Sequence, residues 1–149
     1  MKLLIAAFLV PIAAASWAEN INPTDGAWFA KVGNVTTAGC PPEMGQQLQQ
    51  AGPQDATFDL VWNGTAPQVG DYLWEPVGEN QFRAVIAENE VTQMGTIAMQ
   101  SVLNLTVLSE TEMAQTGSTT ITLSGQLAQL FESASACRLN HQVAYSYQG

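Results

Sequence analysis

One histidine, His141, and two cysteines, Cys40 and Cys137, are the residues of this 149-residue chain best able to support nucleophilic or metal chemistry. Hydrolysis by a nucleophile needs that group, a base and an orienting partner in one place. With a single histidine and no Gly-x-Ser-x-Gly elbow, a catalytic triad has little to stand on. Zinc needs several His or Cys ligands, which the composition does not supply. Haem needs only one axial histidine, and His141 lies on an otherwise apolar strand face. A core or rim histidine bonded to backbone or to Tyr145 explains the same position with no cofactor, and that is the reading adopted. The paired carboxylates Glu88/Glu90 and Glu110/Glu112 have the residue types for glycoside cleavage or calcium, but they sit at strand ends where solvated acids are ordinary. No metal, no cofactor and no catalytic residue are expected.

The cysteines point instead to a compartment. "MKLLIAAFLVPIAAASWA" carries Lys2, an apolar run and small residues at Ser16 and Ala18, the pattern of a secretory signal peptide cleaved after Ala18. The expected organisation is therefore a leader over 1–18 and one domain over 19–149, exported to a bacterial periplasm or the extracellular space. No later stretch is long and apolar enough to span a membrane as a helix. An oxidising compartment favours a Cys40–Cys137 disulfide. Removing the leader leaves Lys31, Arg83 and Arg138 against thirteen acids, a formal charge of about −10. Such a surface repels nucleic acid and tolerates a basic protein partner. The Asn-x-Thr triplets at Asn34, Asn63 and Asn104 are read as turn and polar-face residues, and become glycan acceptors only in a eukaryotic secretory route.

The elements that must position these residues alternate with period two. Trp28, Ala30 and Val32 share a face, as do Phe58, Leu60 and Trp62, with Asn63-Gly64 a turn. "DYLWEPVGENQFRAVIAE" reads as a hairpin, with Tyr72 and Trp74 before a Gly78-Glu79-Asn80 turn and Phe82, Ala84 and Ile86 after it. Ile97, Met99, Ser101, Leu103, Leu105 and Val107 form another face, Thr119, Ile121 and Leu123 the next. Leu139, His141, Val143, Tyr145 and Tyr147 make the last. "PPEMGQQLQQAG" spaces Met44, Leu48 and Ala51 helically and ends at Gly52-Pro53, while "SGQLAQLFESASA" is taken as a two-turn helix capped by Ser124. The expected fold is all-β: a single antiparallel β-barrel of seven to eight strands, with a β-sandwich as the alternative, one or two short helices, and closure by the disulfide. The barrel is preferred because Cys40 ends the first strand and Cys137 starts the last, which adjacent antiparallel strands bring together.

"DGAW", opening the first strand at Asp25 to Trp28, resembles the Gly-x-Trp motif of lipocalins and related calycin barrels, matched here by Gly26-Ala27-Trp28. That resemblance implies a tryptophan plugging one barrel end and an interior that takes small apolar ligands. The family's late arginine stacks on this tryptophan; the late arginine here, Arg138, begins the last strand, where the expected barrel puts it at the other end.

Trp28, Phe58, Trp62, Trp74, Phe82, Met99, His141 and Tyr145 are the candidate pocket residues if the barrel is hollow. Aromatic residues facing inward in a small barrel more commonly fill it. The function expected first is therefore non-catalytic protein binding, as an accessory subunit or inhibitor in an envelope or extracellular complex, with the loop over 36–54 as its docking surface. The alternative is a carrier or sensor holding a small apolar ligand inside.

Overall fold

The structure, a computed structural model, describes residues 20–131 and 136–149. The expected signal peptide over 1–18 lies outside the described residues. In chain order the elements are β1 (Gly26–Ala38), α1 (Pro42–Ala51), β2 (Ala56–Leu60), β3 (Glu75–Gly78), β4 (Gln81–Thr92), β5 (Gly95–Ser109), β6 (Glu112–Leu123), α2 (Gln126–Leu130) and β7 (Cys137–Tyr147). All seven strands belong to one curled sheet, ordered β2-β1-β7-β6-β5-β4-β3, so the fold is the expected barrel-like sheet and not a sandwich.

Bent into a ring, that order is simply chain order with the β2/β3 pair missing. Every pairing that forms is antiparallel. Passing from β3 to β2 through these pairs takes an even number of reversals, so β2 and β3 run in the same direction. A tight hairpin cannot join such strands. Residues 61–74 instead carry the chain back along the seam, burying Ala66, Pro67, Val69 and Trp74. The sheet is thus a half-barrel, open between β2 and β3.

This return path also changes two expected strands. β2 stops at Leu60, and Trp62 keeps only an isolated bridge to Pro67. Asn63 turns the chain as expected, its Oδ1 accepting from the N–H groups of Thr65 and Ala66. Tyr72 and Trp74 precede β3 instead of lying in it: β3 is only Glu75–Gly78, paired antiparallel with the start of β4. The expected Gly78-Glu79-Asn80 turn narrows to Glu79-Asn80, since Gly78 pairs with Gln81 in β3, with Asn80 at φ 54°, a conformation Asn tolerates.

The disulfide links Cys40 to Cys137 with Cα atoms 4.4 Å apart. It extends the β1/β7 ladder beyond its last pair, Ala38 with Arg138, and so staples an interior pair of strands and not the seam. α1 starts with Pro42, whose missing N–H sacrifices no helical bond, and lies on β1 with Gly45 against Thr37 and Gly52 against Val35. α2 is a single turn. Its cap position is Gly125, and the expected cap Ser124 instead bonds Thr96, accepting from its N–H and donating to its carbonyl. Leu130 and Phe131 remain exposed, beside residues 39–43; residues 132–135 of that segment lie outside the described residues.

Candidate functional site

Alternation aims one row from each strand into the concave face, but the rows are filled unequally. At one end Trp28, Leu60, Leu105, Met113 and Val107 are almost fully buried, joined by Trp74, Phe82 and Leu103. Polar atoms within this plug are paired, as burial requires. The Trp28 indole donates to Thr24 O at 2.8 Å and the Trp74 indole to Val69 O at 2.8 Å. Trp62 packs edge-on against Phe82, and Trp28 against Tyr147.

Toward the other end the same strands carry smaller side chains. The inward row of β6 runs Met113, Gln115, Gly117, Thr119, facing Val107, Leu105, Leu103 and Ser101 on β5 and Tyr145, Val143, His141 and Leu139 on β7. Gly117 is directly opposite His141, and the imidazole lies over it; a Cβ at 117 would overlap the ring. The ring takes the volume that a side chain on β6 would fill.

A cleft of about 510 Å³ opens here. Val32, Leu139 and Val143 form apolar floor, Phe58 and Tyr72 stand on the seam side, and the end of α1 with residues 52–54 forms the rim. Phe58 stacks edge-on against Tyr145 at 5.7 Å, which fixes that wall. Tyr145 donates to Gln115 Oε1 at 2.7 Å in a buried bond. Burial, with Tyr72 nearby, raises the phenol well above its ordinary range, so Tyr145 stays a neutral donor. His141 is less settled. Its Nδ1 is shielded from solvent with no hydrogen-bond partner among the described residues, and burial lowers its pKa, so the ring is neutral near pH 7.

Next to the cleft β1 bulges between Val32 and Val35. On its other edge, past the last β1/β2 pair (Ala30 with Ala56), the Val32 N–H donates to Asp55 Oδ1 at 2.7 Å, tying the segment after α1 to the wall.

Of the eight candidate pocket residues, the structure brings Phe58, His141 and Tyr145 to the cleft. Trp28, Trp62, Trp74 and Phe82 belong to or pack on the plug. Met99 is at the opposite side of the concave face, in a shallow depression with Glu88, Glu90 and Ile97. Gln115 and Gly117 were missed because the face read over Thr119, Ile121 and Leu123 begins after them, whereas β6 starts at Glu112. A lone glycine next to an alternating run is, however, a known mark of close approach. The expected docking segment 36–54 becomes the end of β1, then α1 and the cleft rim. Among the described residues no three His, Cys, Asp or Glu side chains gather as metal ligands would, and no helix is long and apolar enough to cross a membrane.

No protein-family model matches the chain, and no curated protein or solved structure matches it.

Proposed function

We propose that the protein is an exported, non-catalytic binding protein whose concave cleft takes a small, largely apolar molecule bearing one hydrogen-bonding group. The observation that carries this reading is the cleft itself: about 510 Å³, floored by aliphatic side chains, walled by Phe58 and Tyr72, with Gln54, Gln115, Thr119, His141 and Tyr145 as its polar members. Ligand sites have this composition, mostly apolar with a few placed polar groups, and volumes of about 300–1,000 Å³. Inward aromatics on this chain both fill a plug and line a cleft, and that favours the carrier over the protein-binding role the sequence put first. The Gly26-Ala27-Trp28 resemblance to calycin barrels implies the same use. The leader sequence and the Cys40–Cys137 bond support a periplasmic or extracellular location.

His141 and Tyr145 would orient a ligand; among the described residues Tyr145 bonds Gln115 and His141 Nδ1 has no partner. Native mass spectrometry of protein purified gently from its own source tests the reading. The expected spectrum shows the polypeptide plus a few hundred daltons, and Val32→Trp, which fills the floor, loses that mass. A bare polypeptide that also fails to bind the fluorescent probe anilinonaphthalene sulfonate overturns it.

A further inference from the structure

The β2/β3 seam has a consequence on its other side. β3 pairs only with the start of β4, opposite Gln81, Phe82 and Arg83. From there β4 continues to Thr92, bonded to β5 along its whole length without a register shift. The opposite edge of residues 84–92 pairs with no described strand, leaving alternate N–H and C=O groups unmatched along about 30 Å of extended chain. Residues 87–92 are all exposed. This stretch has no proline, lysine or bulge to blunt its edge; its only charges are Glu88 and Glu90 on the inward row, which guard it against acidic or identical strands.

The side chains on the strand narrow what can pair there. Glu88 and Glu90 share one face, opposite Met99 and Ile97 on β5, while Val85 and Val91 are exposed on the other face at 58% and 80%. A second copy of this chain is a poor match. Antiparallel pairing of two β4 edges about Asn89 sets each Glu88 against the other copy's Glu90, and like charges directly opposite destabilise a sheet. A strand with Lys or Arg at two alternate positions meets the same carboxylates favourably, and the protein's strong negative charge steers such a segment toward it.

We infer that the free edge of β4 over residues 84–92 is a strand-addition site for an extended basic segment of a partner protein, with two cations spaced two residues apart facing Glu88 and Glu90. Main-chain bonds supply the attachment and the two carboxylates supply the choice. This site is separate from the cleft and does not depend on what the cleft holds.

The probe is a fluorescein-labelled peptide, Val-Lys-Thr-Lys-Thr-Val-Val, read by fluorescence anisotropy on the intact, oxidised protein. Its counterpart has Glu in place of both Lys. The basic peptide is expected to bind at least about tenfold more tightly than the acidic one and to weaken with added salt. The double variant Glu88→Lys/Glu90→Lys, altered only at exposed positions, reverses that preference. Hydrogen exchange slows at the amides of 84–92 when the basic peptide is bound. Equal affinity for both peptides, no binding, or protection confined to other strands overturns the proposal. A concentration-dependent dimer protecting the same amides without peptide overturns it in favour of self-pairing.

Discussion

The two ends of the concave face are made from the same strands by the same alternation, yet one is packed solid and the other holds a cleft. At the plug, Trp28, Leu105, Met113 and Val107 interdigitate with at most 2% of any of them exposed. A few residues further along, Gly117, Thr119 and Ser101 stand at the equivalent inward positions. Inward-facing is therefore not the same as core-filling. Side-chain size along one face decides whether a curled sheet closes on itself or leaves room, and the plug gives the cleft a rigid base.

The largest expected effect tests whether the two ends are held by one staple. Replacing Cys40 and Cys137 with Ala removes a bond spanning 97 residues of sequence, worth about 4–5 kcal/mol in the chain-entropy description. Urea unfolding of the double variant checks this. If the value falls below about 1 kcal/mol, the β1/β7 ladder holds itself.

Core truncation should separate the ends. Trp28→Ala is expected to destabilise by about 3–5 kcal/mol, as for other buried tryptophans, whereas Phe58→Ala at the half-open cleft wall should do markedly less. Similar losses in thermal unfolding would mean that the cleft end is as much core as the plug.

Gly117→Ala probes the close approach directly. The new methyl meets the imidazole, and a loss of about 1–3 kcal/mol is expected from overpacking. Adding His141→Ala should restore much of it, because the clash needs both partners. A strictly additive double variant would show that the ring moves aside freely.

The smallest effect is on pH dependence. His141 is held neutral by burial, below its ordinary value of 6.5. As pH falls through 6.5 the unfolded chain takes up this proton first, so stability contributed by the neutral ring is present above 6.5 and declines below it until the folded pKa is reached. The difference between wild type and His141→Gln, followed by denaturation from pH 8 to 5, should shrink toward acid. A difference independent of pH would mean that the ring is already solvated when folded.

Much of the architecture was legible in the residues. Alternation in β1, β4, β5 and β7, the Glu79-Asn80 turn, α1 between its prolines and Gly52, and the disulfide all follow from local chemistry, because each depends on neighbours in sequence or on one covalent choice. The candidate site was legible in part. Phe58, His141 and Tyr145 were placed on inward faces, but the same rule swept in Trp28, Trp62, Trp74 and Phe82, and it missed Gln115 and Gly117.

By itself, then, the sequence determined the strand period, the facing within β1, β4, β5 and β7, the acidic charge and the pairing of the only two cysteines. Tertiary structure alone decided that β2 and β3 run in the same direction and leave a seam, that residues 61–74 return along it, and that His141 lies over Gly117 at the edge of a cleft. The reason is physical. Facing is set by a two-residue repeat within one strand, whereas seams, cavities and free edges depend on how many strands come round and on the volumes that meet across them.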